Sequence, residues 1–365
     1  MSKIALLSKE LSIPDPKPQK IDIFVAGYGA VGSTLIRQIN DLSDSNYFHI
    51  AGICNSSRVA WFDEESGYVI NNKTLANGES KKWNKVINKL SPKSGRELIF
   101  VDATGEEEVA NLYLKLFEKG IHVVTPSKIA NTRKQIYFDL LHKTAEENSV
   151  SFLYETNVGA GLPVLRTVRD LVKSGDEITE ISGVLSGTMT YIFSQLEAGR
   201  SFSDSVLNAR QLGYAEPDPR DDLSGEDVAR KMMILSRVSG YSVERDELKV
   251  EPITPKILEN VESHTFLERL PEFDQLWKEK FNSLRKKRKT LRYLGTMNKE
   301  GISVGLKELE IDSPIARLKG TNNIIQISTK RYSYQPLIIQ GPGAGKEVTS
   351  AGILADIRLI MRDSR

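Results

Sequence analysis

The sequence predicts a doubly wound parallel α/β sheet followed by a second, α+β domain. Three observations carry this. Apolar strand-like runs alternate with helical stretches from residue 21 to 154. A glycine-rich turn joins the first strand to the first helix. After about residue 155 the alternation stops, and helices broken by Gly- and Pro-rich turns lead into a series of strand-like runs. Strands alternating with helices make βαβ units and a parallel sheet.

Residues 1–20 hold no long apolar core and include Pro14-Asp-Pro-Lys-Pro18, which reads as an N-terminal arm rather than a signal peptide. Ile21-Asp-Ile-Phe-Val-Ala26 reads as a buried strand, Gly27-Tyr-Gly29-Ala30-Val31-Gly32 as a turn, and Ser33–Ile39 as a helix. Strands follow at Phe48–Cys54, Leu98–Ala103, Ile121–Thr125 and Val150–Tyr154, with helices at about 107–119 and 129–147. The polar, weakly patterned stretch 70–97 reads as an insertion. In the second part, helices are expected at 160–174, 201–212 and 224–240, and strands at 178–185, 291–297, 302–309, 323–328 and 334–340. The closing stretch has amphipathic spacing over 347–361, so the terminal segment 347–365 is expected to pack back on the first domain. The domains therefore read as 21–154 and 155–346.

A chain of 365 residues suffices for two domains. Its 39% hydrophobic and 27% charged content is ordinary for a globular protein. A net charge of +2 gives no pull toward nucleic acid or anionic membrane, and the one basic run, Arg285–Lys289, reads as a solvated helix end. Nothing approaches 18 consecutive apolar residues, so no membrane span is expected. Cys54 is the only cysteine, which fits a reducing, cytoplasmic compartment, and the four histidines show no zinc-like spacing.

Gly27, Gly29 and Gly32 form G-x-G-x-x-G in a strand–turn–helix context, the pattern of a Rossmann-type dinucleotide site. The first glycine allows the tight turn. The second lets backbone, with Ala30 and Val31 behind it, approach a pyrophosphate at the helix N-terminus, and the third lets helix and strand pack closely. An NAD-selective site would end the second strand on Asp or Glu. This chain has Asn55-Ser-Ser-Arg58, small polar groups plus a cation that suit a 2′-phosphate. NADP is therefore expected, with NAD as the other option. Thr125-Pro-Ser-Lys128 places a lysine at the C-terminal end of a parallel strand, where ligands bind. Gly341-Pro-Gly343-Ala-Gly345-Lys346 lacks the outer residues of a P-loop, since Gln340 and Glu347 flank it, and reads as a glycine turn near a cofactor.

The segment from Glu216 to Lys231 is the most informative. Glu216, Asp222 and Asp227 fall within a dozen residues, and Lys231 follows one helical turn after Asp227. Pro217 and Pro219 argue against helix in the first half, whereas Ser224 with Asp227 looks like a capping box that starts one. The helix is apolar on most sides, with Val228, Ala229 and Met232–Leu235, so Lys231 is expected to be buried. A buried lysine is rare unless paired, and its pKa shifts easily, as an acid/base group requires.

With these residues in view, the chain resembles homoserine dehydrogenases from about residue 21 onward. The resemblance rests on Glu155-Thr-Asn-Val-Gly-Ala-Gly-Leu-Pro163, Leu185-Ser-Gly-Thr-Met-Thr-Tyr-Ile192, the segment Gly213–Lys231, and Gly341–Gly345. It is greatest to the dehydrogenase half of the bifunctional aspartokinase–homoserine dehydrogenases, with neither a kinase portion nor a separate regulatory domain expected. The resemblance implies NAD(P)-dependent interconversion of aspartate 4-semialdehyde and homoserine. It implies Lys231 as proton donor beside Asp227, Lys128 near substrate and cofactor, and Glu216 and Asp222 as substrate-binding groups. It also implies Thr104 and Gly343 at the cofactor, a monovalent cation such as sodium held at Glu155, Val158, Ala160 and Leu162 largely through backbone oxygens, and a homodimer formed through the second domain. Two departures stand out: Ser127 where the family commonly has Asn, and Thr104-Gly105-Glu106 where it often has Ser or Thr pairs. A catalytically idle dinucleotide sensor, or another amino-acid dehydrogenase of similar layout, is the alternative. An acylating aldehyde dehydrogenase would need a nucleophilic cysteine, and Cys54 is poorly placed for that.

Overall fold

The structure, a computed structural model, describes residues 20–64 and 70–363; the expected N-terminal arm, Lys20 excepted, lies outside them. Among the described residues the first part runs β1 (Ile21–Ala26), α1 (Ala30–Asn40), β2 (Phe48–Cys54), β3 (Arg58–Trp61), α2 (Asn72–Ala76), β4 (Glu79–Ser80), α3 (Trp83–Lys89), β5 (Glu97–Asp102), α4 (Glu107–Ala110), α5 (Tyr113–Glu118), β6 (His122–Val124), α6 (Gln135–Glu147) and β7 (Phe152–Leu153). These strands form one sheet in the order β4-β3-β2-β1-β5-β6-β7. β1 lies inside it, parallel to β2 and β5, and every one of its residues is buried, as a strand covered on both faces requires.

Three details differ from the sequence reading. The stretch 70–97 is more than an insertion: β3 and β4 pair as an antiparallel extension, and α3 buries Trp83, Val86 and Ile87 in the core that includes Phe24 and Phe100. Lysines and asparagines between those apolar residues hide this packing from a composition scan. The expected helix 107–119 is split into α4 and α5, where the Leu112 N–H bonds the Val109 carbonyl in a tightened i→i−3 step. The expected helix at 129 starts as a 3₁₀ turn, Ala130–Thr132, and becomes α-helical only from Gln135.

The second part comprises α7 (Val164–Lys173), β8 (Ile178–Val184), α8 (Gly187–Glu197), α9 (Phe202–Gln211), α10 (Pro219–Leu223), α11 (Glu226–Val238), β9 (Lys249–Val250), α12 (Ser263–Arg269), α13 (Asp274–Lys286), β10 (Lys289–Asn298), β11 (Gly301–Glu310), β12 (Asn322–Thr329), β13 (Leu337–Pro342) and α14 (Lys346–Asp363). Its sheet has the order β13-β12-β8-β10-β11-β9, antiparallel except for the short β9–β11 pair. The last expected strand begins at Leu337 rather than 334, and Tyr334 is exposed.

Two packing features position the site. Helix α11 lies flush on the second sheet: a Cβ at Gly295 of β10 would fall 2.4 Å from the Met232 Cγ. Helix α14 returns to the first sheet, burying Ile353, Ile357, Ile360 and Met361 with Leu35, Ile36 and Ile39 of α1 and with Ile21, Ile23 and Val25 of β1. No helix of the described residues is long and apolar enough to cross a membrane.

Candidate active site

The glycine turn follows directly from backbone geometry. Gly27 sits at φ +98°, and its N–H and that of Tyr28 both donate to the Cys54 carbonyl at the end of β2. A Cβ at Gly27 would lie 2.7 Å from the Ala103 oxygen, and one at Gly32 would lie 2.1 Å from the Gly27 oxygen. These two glycines are demanded by close approach. At Gly29, by contrast, a Cβ would meet nothing within 4 Å. Its face is open, and α1 begins there without a side-chain cap, so its first N–H groups are available to an anion. Ala30 and Val31 are the first two residues of that helix.

At the end of β2 the Asn55 side chain accepts from the N–H groups of Ser57 (2.9 Å) and Arg58 (2.7 Å), folding an Asx turn. Arg58 is exposed and donates to the Gly78 carbonyl at 3.1 Å. A lysine that the sequence did not single out meets this turn through its backbone: the Lys81 N–H donates to the Ser57 carbonyl at 2.8 Å, while its ammonium lies 4.4 Å from the Trp83 ring centroid. It arrives through the β3–β4 pairing, which had no signal in the sequence. Burial pushes the Cys54 thiol up to about 11, so it stays protonated and unreactive. Thr104 turns inward, its N–H and hydroxyl both donating to Asp102.

The segment 216–231 forms two helices. Pro219 is the first residue of α10, where its missing N–H is not needed, and Asp218 caps it. This corrects the expectation that the proline-rich half excludes helix. The expected capping box also does not form. Ser224 closes α10, its hydroxyl donating to the Asp221 carbonyl, and Gly225 at φ +78° precedes α11. A Cβ at Gly225 would fall 1.9 Å from the Tyr293 hydroxyl oxygen, so contact and backbone both require glycine.

From that start Asp227 and Lys231 project on one face of α11. The Lys231 ammonium contacts Asp227 at 2.7 Å and donates to the Leu185 carbonyl at 2.7 Å. Lys231 is buried. Burial pulls its pKa below the ordinary lysine value, although Asp227 opposes the fall. Asp227 also meets Lys128 of the first domain at 3.2 Å. Asp227 is partly open to solvent; the desolvation it does suffer would raise its pKa, but the flanking ammonium groups outweigh that and hold the carboxylate well below its usual range. Asp222 stands near this group. It accepts from the Thr188 hydroxyl (2.9 Å) and the Glu216 N–H (2.8 Å), and burial raises its pKa. The Glu216 residue is exposed. Sequence reasoning missed Leu185, which acts through a backbone carbonyl, and Thr188, which sat inside the Leu185–Ile192 stretch without being singled out.

Two further groups complete the surroundings. Gly343 follows β13 and rests against the Asn323 carboxamide. The loop carrying Glu155, Val158, Ala160 and Leu162 turns through Gly159 (φ +79°) and Ala160 (φ +52°). The Glu155 carboxylate caps α7, accepting N–H groups from Leu165 and Arg166 at 2.8 Å each, and the Leu162 carbonyl accepts from Val164. Among the described residues Asp22, His49 and Glu64 bring donor atoms within 4.8 Å of one another, but Lys93 and Arg96 already supply cations to that cluster.

The chain as a whole has known relatives. The family model "Homoserine dehydrogenase" matches residues 163–358, and its companion "Homoserine dehydrogenase, NAD binding domain" matches 27–155. A Homoserine dehydrogenase of Paracoccidioides brasiliensis is 37% identical over 357 residues, covering 91% of this chain and 95% of the fungal one. The chain belongs to the homoserine dehydrogenase family. The bifunctional aspartokinase/homoserine dehydrogenase of Haemophilus influenzae is also 37% identical, over 92% of this chain, of which the match spans 42% of the bacterial protein. The match to a Zea mays bifunctional relative spans 29% of that protein, so the chain corresponds to less than half the length of such relatives. Among solved structures, a Candida auris protein of unknown function has a TM-score of 0.86 at 34% identity, covering 94% of this chain and 99% of that one. A hyperthermophilic archaeal homoserine dehydrogenase in complex with NADPH has a TM-score of 0.72 at 25% identity, covering 94% and 98%.

Proposed function

We propose that the chain catalyses NADP-dependent, reversible reduction of L-aspartate 4-semialdehyde to L-homoserine. The observation that carries the reading is the buried Lys231 ammonium held between the Asp227 carboxylate and the Leu185 carbonyl. Reduction of an aldehyde builds negative charge on its oxygen, and a positioned cation with a transferable proton meets both needs. The nicotinamide cofactor, when bound, supplies or accepts the hydride. The open cradle at Gly29, with the uncapped start of α1 at Ala30 and Val31, fits its pyrophosphate. Asn55, Arg58 and Lys81 fit a 2′-phosphate, which favours NADP over NAD.

In reduction, Lys231 hands a proton from Nζ to the developing alkoxide. In oxidation, the neutral amine takes the hydroxyl proton, and its depressed pKa makes that form accessible. Asp227 holds the amine and couples it to Lys128 across the domains. Asp222, and the exposed Glu216 whose backbone N–H it holds, offer carboxylates that suit the ammonium of an amino-acid substrate. Thr104 supports the turn beside the cofactor through Asp102. Backbone oxygens of Val158, Ala160 and Leu162, with that of Glu155, would hold a monovalent cation such as sodium. The left-handed Ala160 is the local strain that a functional loop tolerates.

Residues 21–154 act as the dinucleotide-binding domain and 155–346 as the substrate-binding and dimerisation domain, in a cytoplasmic homodimer whose single cysteine is buried and free. The test is oxidation of homoserine followed by absorbance of the reduced cofactor, with NADP and NAD in turn. Turnover with higher kcat/KM for NADP is expected. No turnover with either cofactor would overturn the reading.

A further inference from the structure

We propose that Asn323 is a positioning residue for Lys231: its buried carboxamide holds the Leu185 carbonyl that anchors the lysine, and keys that carbonyl to the glycine turn at 341–345. The inference rests on the role given to Lys231 above.

Asn323 is the second residue of β12, fully buried, with its backbone paired to Gly341 of β13. Its Nδ2 donates to the Leu185 carbonyl at 3.4 Å, and the Lys231 Nζ donates to the same oxygen at 2.7 Å. One carbonyl thus takes two donors, from β12 and from α11, filling both lone pairs. The need for a donor also fixes which way the carboxamide faces, because its oxygen could not serve a carbonyl.

The other end of the group is informative. Among the described residues the Asn323 Oδ1 is buried with no hydrogen-bond partner. A buried, unpaired amide oxygen is destabilising, and an apolar side chain of similar size would fill the space without that cost. Stability alone therefore does not account for asparagine here. The carboxamide also lies against Gly343, where a Cβ would fall 2.0 Å from both its Cγ and its Nδ2. Gly343 is absent from the positive-φ residues, so the close approach of Asn323, and not backbone conformation, demands glycine at that position. A 3.4 Å bond is weak by itself. Confinement beneath Gly343 is what keeps the donor aimed at Leu185.

The chain of contact runs from the glycine turn to Asn323, to the Leu185 carbonyl, to the Lys231 ammonium. Leu185 immediately precedes Ser186, the cap of α8, so the carbonyl is fixed from one side by a helix start and from the other by Asn323. The charged groups that face Lys231 are Asp227 on its own helix, Lys128 from the first domain and Asp222 from α10. Asn323 adds a neutral constraint to that set.

Two variants test this, each read by steady-state kinetics and by the pH midpoint for acylation of Lys231 under limiting acetic anhydride, followed by mass spectrometry. In N323A the carbonyl loses its second donor and Lys231 loses registration. kcat for homoserine oxidation is expected to fall about tenfold, within the range for a displaced catalytic group, with KM changed less than about twofold. N323D preserves size but removes the amide donor and adds a carboxylate at the carbonyl that the ammonium also contacts. A nearby opposite charge favours the protonated amine, so both the oxidation limb of the pH profile and the acylation midpoint are expected to move upward by about one unit. N323A that loses thermal stability while keeping the parent kcat would overturn the inference, as would an unmoved acylation midpoint in N323D. Should N323A fail to fold, N323D decides alone. Should the parent fail to oxidise homoserine, the proposed activity fails, while the acylation midpoint still supports or overturns the role of Asn323.

Discussion

Replacing Asp227 by Asn removes one charge with almost no change of shape, which makes it the sharpest probe of how the site tolerates a buried ammonium. The Asp227 carboxylate lies 2.7 Å from the Lys231 Nζ and 3.2 Å from that of Lys128. At an effective dielectric near 20, each attraction amounts to about 5–6 kcal/mol before screening. The Asp227 side chain keeps 49% of its surface exposed, so solvent removes most of that. What remains is about 1.4–2.7 kcal/mol in favour of the charged amine. The sign is fixed by charge: losing an anion disfavours the ammonium, so a lysine pKa already below its ordinary value falls further. In the reaction proposed above, homoserine oxidation would use the neutral amine, and its rising pH limb should move down by about one to two units. Semialdehyde reduction uses the ammonium, and its alkaline limb should move down equally, costing about ten- to a hundredfold where the parent is still active. Both limbs can be followed by nicotinamide absorbance across a pH series, with a thermal melt to show that the variant is folded. Profiles that superimpose on the parent would refute the electrostatic account of Asp227.

Two other outcomes follow from the geometry. Gly225→Ala forces a side chain into the Tyr293 hydroxyl at a left-handed residue, and should destabilise the fold by about 1–3 kcal/mol in a denaturant titration and lower kcat by disturbing the start of α11; an unchanged unfolding midpoint would count against it. Arg58→Ala should raise the KM for NADP about tenfold with little change for NAD, since a 2′-phosphate is the only difference between them; equal effects on both would remove Arg58 from that contact.

Much of the fold was legible because strand periodicity and glycine placement are local. The run 21–26 is apolar except at Asp22, which His49, Lys93 and Arg96 pair, because β1 is buried on both faces, and its position beside a glycine turn could mean little else. The longer strands of the second sheet were legible for the same reason, whereas the two-residue β9 (Lys249–Val250) was not anticipated. What failed was long-range or backbone in character. The capping box at Ser224 was misplaced because the actual constraint on the start of α11 is the Tyr293 hydroxyl, 68 residues on from Gly225. Helix α3 was hidden because only Trp83, Val86 and Ile87 face inward among polar neighbours. At the site, the burial of Lys231 could be inferred from Val228, Ala229 and Met232–Leu235 around it. Its second anchor could not, because the Leu185 carbonyl carries no side-chain signature. The Glu155 carboxylate, which resemblance associates with a cation, is engaged by the first N–H groups of α7, a use that only three-dimensional proximity reveals.

The most direct test is the turnover of Lys231→Ala in homoserine oxidation beside the parent protein, at saturating cofactor and with folding checked by circular dichroism. The expected result is a kcat lower by about 10²–10⁴ with a much smaller change in KM, the signature of a lost proton-transfer group. A folded variant that keeps near-parental kcat would contradict the assignment of Lys231 as the group that exchanges a proton with substrate.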